Sequence, residues 1–147
     1  MPMKMRTGDN MKATTVGNFI NAPVEKVWKL WTMPEHIVKW AYASDDWEAP
    51  HAENDVRAGG KFNTAMTAKD GSESFDFTGT YNAVVPHERI EYVIDDGRKV
   101  VVQFQRVDGK TKLTETFEPE NINPEDMQKA GWQAILDNFK KYAEGNK

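Results

Sequence analysis

Residues 100–117, VVVQFQRVDGKTKLTETF, decide the fold because two alternating runs flank the pair Asp108-Gly109. An Asp-Gly pair in this position is typical of a two-residue turn in a β-hairpin. The turn fixes the register and predicts these pairs across the hairpin: Val107 with Lys110, Phe104 with Leu113, and Val102 with Glu115. One face of the hairpin then carries hydrophobic side chains together with the carboxyl group of Glu115.

A carboxyl group among hydrophobic side chains indicates either a lined cavity or a buried ion pair. Arg57 and Arg106 are the candidate partners for such an ion pair with Glu115. A desolvated carboxyl group can also act as a general base near neutral pH, here with Tyr81, Tyr92 or Arg106 beside it. Glu115 is therefore a candidate ligand contact, a candidate ion-pair partner and the single candidate for a catalytic residue.

The hairpins that precede this one can be placed by the same reasoning. Two-residue turns at Asp70-Gly71 and Pro86-His87, and a three-residue loop at 95–97 with Gly97 at positive φ, put hydrophobic side chains on a shared face. The predicted pairs are Met66 with Phe75, Thr64 with Phe77, Tyr81 with Tyr92, Tyr92 with Val100, and Ile90 with Val102. The other face is mostly polar, as in an antiparallel sheet with one side in solvent. Residues 60–118 therefore form a predicted five-stranded meander.

Shorter elements are predicted before the meander. A first strand covers 16–20, and two short strands lie around Trp47 and around 55–58. A helix begins at Pro23, because proline suits the first position of a helix. Its hydrophobic residues follow helical spacing: Val24, Val27, Trp28 and Trp31. A second short helix runs from Pro34 to about Trp40.

The longest helix follows the meander. Asn123 as N-cap, Pro124 at the first position and Gly145 beyond the end are its start and stop signals. Its apolar face covers about half of the helical wheel and contains Met127, Gly131, Trp132, Ile135, Leu136, Phe139 and Tyr142. Gln128 and Gly131 interrupt this face. Either Gly131 admits a bulky strand side chain while Gln128 bonds a backbone carbonyl, or both line a space for a ligand.

Length and composition are those of a single domain, predicted to cover 11–147 after a disordered segment at 1–10. The net charge is −4, and the lysines and arginines are scattered, so we expect no nucleic-acid partner. The sequence contains no apolar run that would span a bilayer, no secretion signal and no cysteine. We therefore expect a cytoplasmic protein without a membrane span.

The sequence offers little sign of cofactor chemistry. The three histidines, His36, His51 and His87, have no spacing that suggests a shared metal ion. Nucleophile elbows, phosphate-binding loops and dinucleotide motifs are missing from the sequence. We therefore predict no metal and no cofactor.

Five motifs occur in one order along the chain: INAPVEKVW at 20–28, TMPEHIVKW at 32–40, DVRAGGKF at 55–62, GTY at 79–81 and GWQAILDNF at 131–139. In these motifs the chain resembles the SRPBCC, or START-like, superfamily. Within it the resemblance is to the branch related to the C-terminal domain of the activator of heat-shock-protein-90 ATPase. The resemblance implies an α+β helix-grip fold like that of the major birch-pollen allergen. In this fold a curved antiparallel sheet wraps around a long C-terminal helix, with two short helices after the first strand. The resemblance also implies a cavity that often receives hydrophobic small molecules.

Three functions follow as hypotheses. The first is binding of a small, largely apolar ligand in a cavity. The predicted lining residues are Trp40, Phe75, Phe77, Tyr81, Tyr92, Val102, Phe104, Glu115, Gln128, Gly131 and Trp132. The second is a chaperone-associated interaction in the stress response, although the chain is expected to lack the additional N-terminal domain of the chaperone activator. The third is a cofactor-free cyclase, lyase or hydrolase that uses Glu115.

Overall fold

A computed structural model of the chain describes residues 13–145. Its elements are β1 (Thr14–Ile20), α1 (Val24–Thr32), α2 (Pro34–Ile37), β2 (Trp47–Asn54), β3 (Lys61–Ala68), β4 (Ser74–Val85), β5 (Arg89–Ile94), β6 (Lys99–Val107), β7 (Lys110–Phe117) and α3 (Glu125–Gly145). The strands form one curled antiparallel sheet in the order β1-β7-β6-β5-β4-β3-β2. The predicted α+β helix-grip architecture is confirmed. The disorder predicted for 1–10 lies outside the described residues.

The strand register agrees with the prediction in most of the meander. All the predicted pairs of β3 with β4, β5 with β6 and β6 with β7 are present. Asp108 and Gly109 both have positive φ, 51° and 79°, which is the geometry of a type I′ turn. Gly97 has φ 94° in its three-residue loop, as predicted. Turn chemistry therefore decides which side chains face inward.

The hairpin between β4 and β5 differs from the prediction at its turn. Val85 pairs with Arg89, so the loop has three residues rather than two, with His87 at φ 67°. A bulge between Tyr81 and Ala83 places one extra residue in β4, and this restores the predicted pair of Tyr81 with Tyr92. The predicted turn was wrong, but the inward-facing pair was right because the extra residues in the loop and in the bulge compensate.

The region before β3 contains one strand rather than the two predicted. β2 covers the first of them, and 55–60 form a turn in which the amide of Gly60 donates to the carbonyl of Arg57 at 2.8 Å. Gly59 adopts φ 85° there, and Asp55 pairs with Arg57 at 2.9 Å between Nε and Oδ2. The positive φ and the local ion pair favour a tight turn over a strand.

The helices begin and end close to the predicted positions. α1 begins one residue after Pro23, and Leu30 is buried in it while Trp28 and Trp31 are only partly buried. α2 ends at Ile37, and a turn carries the chain on to Trp40, whose indole donates to the carbonyl of Leu30 at 2.9 Å. None of the helices within 13–145 is both long enough and apolar enough to cross a membrane.

The long helix α3 begins one residue later than predicted, because Pro124 precedes it and accepts the amides of Met127 and Gln128. Met127 is 61% exposed, so the apolar face of the helix is shorter than the sequence suggested. Gly145 is the last helical residue rather than the residue beyond the end.

The side chain of Gln133 attaches α3 to the edge strand β1. Its Oε1 accepts the amide of Gly17 at 3.2 Å, and its Nε2 donates to the carbonyl of the same residue at 3.0 Å. Asn18 donates to the carbonyl of Leu136 at 3.1 Å. The helix is therefore tied to one edge of the sheet, and space remains between the helix and the central strands.

The surroundings of Gly131 show whether α3 needs a glycine at this position in order to lie close to the sheet. A methyl group placed on its Cα would meet nothing within 4 Å. Of the two alternatives for Gly131, the one in which it admits a bulky strand side chain is therefore not supported. Since alanine favours a helix interior by about 1 kcal/mol over glycine, we expect Gly131→Ala to raise the free energy of unfolding by about 0.5 to 1 kcal/mol in urea titrations. Gly97→Ala, at φ 94°, should lower it by about 1 kcal/mol, and equal effects of the two substitutions would contradict this account.

Candidate functional site

A cavity of about 330 Å³ lies between α3 and the inner face of the sheet, and it is partly open to solvent. Eight of its lining residues are aromatic: Trp31, Trp40, Phe62, Phe75, Phe77, Tyr81, Tyr92 and Trp132. Apolar walls of this kind with a few polar groups are typical of small-molecule sites.

Eight of the eleven predicted lining residues lie in this wall, namely Trp40, Phe75, Phe77, Tyr81, Tyr92, Glu115, Gln128 and Trp132. Val102, Phe104 and Gly131 do not. Val102 is fully buried, and the ring of Phe104 packs edge-on against Trp28 and Trp31, which fill that end of the interior. Gly131 has no side chain with which to form a wall.

Several residues that line the cavity were not among those predicted from the sequence. Phe62 and Met66 lie on β3 in the same phase as Thr64, so the hairpin register contained the signal that would have placed them on the inner face. Asn54, Arg98, Glu120 and Asn123 also line the cavity, but they lie at a strand end or in loops, where no periodic pattern indicates which way a side chain points.

Trp132 holds α3 away from the strands on this side. Its ring stacks on Phe117 with centroids 4.2 Å apart and planes 6° apart, and it meets Phe77 edge-on at 6.1 Å. A large ring at this point separates the helix backbone from β7. The cavity therefore has a packed aromatic support along one side.

Glu115 is the buried acid of the site. It lies between Val16 and Val102 across the neighbouring strands and is 5% exposed. Within 13–145 no group hydrogen bonds or forms an ion pair with its carboxyl group. Burial raises the pKa of Glu115 to about 8, because desolvation disfavours the charged form. At neutral pH the carboxyl group is therefore mostly protonated.

The ion pair predicted for Glu115 is absent among the described residues. Arg57 pairs with Asp55 in the exposed turn before β3. Arg106 pairs with Glu25 on α1 at 2.5 Å, on the solvent side. Arg106 shares the inward phase of β6 but lies near the end of the strand, where its side chain is exposed and reaches α1. The tight turn at 55–60 holds Arg57 beside Asp55. Neither guanidinium therefore neutralises the buried acid.

Tyr92 is the polar neighbour of Glu115. It is 7% exposed, and no partner of its hydroxyl group lies in the described part of the chain. Burial raises the pKa of Tyr92 well above its usual value, and the charges of Glu115 and Tyr81 raise it further. Glu115 and Tyr92 therefore offer a ligand two neutral O–H groups, each of which can donate and accept a hydrogen bond.

The hydroxyl group of Tyr81, by contrast, already has a hydrogen-bond partner. Its hydroxyl group donates to Oδ1 of Asn54, whose Nδ2 donates to the carbonyl of Thr32 at 2.7 Å. Burial raises the pKa of Tyr81 above its usual value. This chain of bonds joins β4, β2 and the end of α1, so it braces the wall of the cavity.

Gln128 bonds the backbone, which was one of the two predicted roles, and it also borders the cavity. Its Oε1 accepts the amide of Glu120 at 2.8 Å. Its Nε2 donates to the carbonyls of Glu120 at 3.1 Å and Asn123 at 2.8 Å. Gln128 thus fixes the loop between β7 and α3 at the edge of the cavity.

No group of three or more His, Cys, Asp or Glu side chains that would hold a metal ion occurs in the part of the chain that the structure describes. His36 shares a hydrogen bond of 2.7 Å between Nδ1 and the hydroxyl group of Tyr142, and His51 pairs with Glu53. Neither histidine lies in the cavity wall.

Comparison with known proteins gives a consistent family match. The family model described as "Activator of Hsp90 ATPase homolog 1-like protein" matches residues 21–144. An AHSA1-like protein from Aeromonas hydrophila is 43% identical, with a TM-score of 0.83 over 90% of this chain and 93% of that one. A protein from Cytophaga hutchinsonii is 52% identical, with a TM-score of 0.78 over 90% and 92% of the two chains. A protein from Nitrosomonas europaea, 19% identical over 90% and 94% of the two chains, shares the fold with a TM-score of 0.77. The comparison with curated proteins found no match.

Proposed function

The chain belongs to the Activator of Hsp90 ATPase homolog 1-like family, and on that premise we propose that it binds a small, largely apolar molecule in the cavity between α3 and the sheet. The observation that carries the proposal is an aromatic-walled cavity of about 330 Å³ that contains a buried carboxyl group without a partner among the described residues. An acid left unpaired in an apolar wall is costly to the fold, and a ligand that bonds to it would offset that cost.

The shape of the site supports a receptor. Glu115 and Tyr92 lie on β7 and β5, which are separated by one strand, and both side chains line the cavity. Most of the other lining residues are aromatic or aliphatic and suit the apolar body of the ligand. The expected ligand is therefore a compact hydrophobic molecule with one hydrogen-bonding group.

Binding can be tested with prodan, a neutral naphthalene ketone whose emission shifts to the blue in apolar surroundings. We expect saturable binding with one site per chain. Ile135→Trp, which enlarges a lining side chain on α3, should weaken binding at least about tenfold because it occupies the space that the dye needs. Fluorescence titration at constant protein concentration measures both effects.

Lys129→Trp is the matched control, because it places the same side chain at an exposed position of the same helix. It should bind prodan as the wild type does. Thr64→Leu, which adds bulk from the sheet side of the cavity, provides a second test if Ile135→Trp unfolds. Equal binding by the wild type and both filled variants would place the dye elsewhere and contradict the proposal.

Catalysis by Glu115 is a second candidate, and one observation favours it. An acid whose pKa is about 8 exchanges its proton near neutral pH, as a general acid or base must. Turnover of a substrate that is lost in Glu115→Gln, while prodan binding is kept, would establish this function. A chaperone-associated role, suggested by the family name, and a cytoplasmic location stay predictions.

A further inference from the structure

The charges around the cavity favour one kind of ligand. Among the described lining residues the titratable side chains are Tyr81, Tyr92, Arg98, Glu115 and Glu120. The parts of β3, α1, α2 and α3 that line the cavity contribute apolar or neutral polar groups. Two carboxyl groups therefore face the cavity with a single cationic side chain.

The one cation, Arg98, is already engaged. Its Nε donates to both oxygens of Asp96, at 3.1 and 2.9 Å. Its Nη1 donates to the carbonyl of Glu118 at 3.3 Å. Arg98 therefore forms no ion pair with Glu115, and the buried carboxyl group lacks the positive partner that would stabilise its charged form.

A neutral ligand does not explain why an acid is present here. A glutamine at 115 would donate and accept hydrogen bonds equally well, and it would have no charge to desolvate. An acid differs from an amide in that it can become an anion. In a binding site, a ligand with a positive charge is what favours an acid over an amide.

We propose, building on the proposed function, that the cavity selects a compact aromatic or alicyclic amine whose ammonium group pairs with the Glu115 carboxylate. The aromatic wall suits such a ligand, because the faces of tyrosine and tryptophan rings attract cations in a site shielded from water. Tyr92 donates its free hydroxyl group to the same carboxylate or lies beside the ammonium group.

Binding of the amine releases a proton. The free protein carries a proton on Glu115 below pH 8, and the amine arrives already protonated. The complex holds an ammonium group and a carboxylate, so one proton leaves to solvent and no bond other than the carboxyl O–H is broken. The apparent affinity therefore rises about tenfold per pH unit below pH 8, and levels off above it until the amine itself loses its proton.

The test compares three probes with the same ring system: 2-naphthylmethylamine, 2-naphthylmethanol and 2-naphthoic acid. Calorimetric titrations at pH 6, 7 and 8 give the affinities, and buffers of different ionisation enthalpy give the number of protons released. For the amine we expect about 50-fold tighter binding at pH 8 than at pH 6, and close to one proton released per amine at pH 6. At pH 8 it should bind at least about tenfold more tightly than the alcohol, and the acid should bind most weakly.

Two variants separate the carboxyl group of Glu115 from the general negative charge of the protein. Glu115→Gln should bind the alcohol like the wild type, but lose the preference for the amine, the pH dependence and the proton release. Glu73→Gln removes an exposed carboxylate outside the cavity and should keep all three. Equal affinities for amine and alcohol, or an amine preference that persists in Glu115→Gln, would overturn the inference and leave the receptor function intact. Failure of all three probes to bind would overturn both.

Discussion

Glu115→Gln is expected to stabilise the protein, and the gain is expected to grow as the pH rises. The carboxyl group of Glu115 is buried without a charged partner within 13–145, and burial raises its pKa from the ordinary 4.5 to about 8. In the unfolded chain the same group is exposed and has its ordinary pKa. Between these two values the folded protein holds a proton that the unfolded chain has lost.

The sign of the pH dependence follows from this difference. Stability falls with rising pH wherever the folded state binds more protons than the unfolded state. A shift of one pKa unit corresponds to about 1.4 kcal/mol, so Glu115 should lower the free energy of unfolding by roughly 4 kcal/mol between pH 4.5 and pH 8. Above pH 8 the contribution levels off. A glutamine resembles the protonated acid in shape, so the variant should match the wild type near pH 4.5 and exceed it by several kcal/mol at pH 8.

Urea unfolding of both proteins at pH 5, 7 and 8 measures the effect. Glu73→Gln is the control, because Glu73 is exposed in the turn between β3 and β4 and its substitution changes the net charge by the same amount. Its stability should follow the wild type at every pH. If the wild type and Glu115→Gln keep a constant difference from pH 5 to pH 8, the carboxyl group is not buried as described.

The inward direction of Glu115 could be predicted from the sequence because the turn at Asp108-Gly109 fixes the register residue by residue. Once Phe104 lies opposite Leu113, Glu115 has to face inward beside Val102, and the structure shows both pairs. Side-chain direction alternates with a period of two in a strand, so a correct turn determines the whole face. The fold could be inferred to this extent from local chemistry.

The partners of Glu115 could not be inferred in the same way. Arg57 was expected in a strand, but the turn at 55–60 pairs it with Asp55. Arg106 lies on the inward phase of β6 but near the end of the strand, where its side chain is exposed and reaches Glu25 on α1. Which carboxylate an arginine pairs with depends on distances in the folded chain and on exposure. The alternation of residues along a strand gives no information about either.

The bulge near Tyr81 shows a second limit of prediction from the sequence. Neither the bulge nor the three-residue loop at His87 has a strong sequence signal, yet together they leave the pair of Tyr81 with Tyr92 unchanged. The inner face tolerates local irregularity as long as the hydrophobic phase is preserved. Aromatic side chains that meet across the sheet therefore predict the wall of the cavity better than turn types do.

Phe139→Ala is expected to cause a large loss of stability through the contact of α3 with the short helices. Phe139 is fully buried, and its ring meets Trp31 and Trp40 edge-on with centroids 5.0 and 4.9 Å apart. Removing the ring leaves a void that the two indoles are too rigid to fill, and such substitutions cost about 3 to 5 kcal/mol. The melting temperature should fall by about 10 °C for a chain of this length. Met127→Ala, at an exposed position of the same helix, should change the stability by less than about 0.5 kcal/mol.

The same substitution should also weaken ligand binding, although Phe139 does not line the cavity. Trp31 and Trp40 stack with centroids 4.7 Å apart, and both form part of the cavity wall. Phe139 packs against the two rings from α3, so without it they are free to tilt into the space that a ligand needs. Prodan titration at a temperature where the variant is folded should therefore show several-fold weaker binding, while Met127→Ala should bind as the wild type does. A variant that binds prodan normally would contradict this prediction and show that the two indoles keep their positions without Phe139.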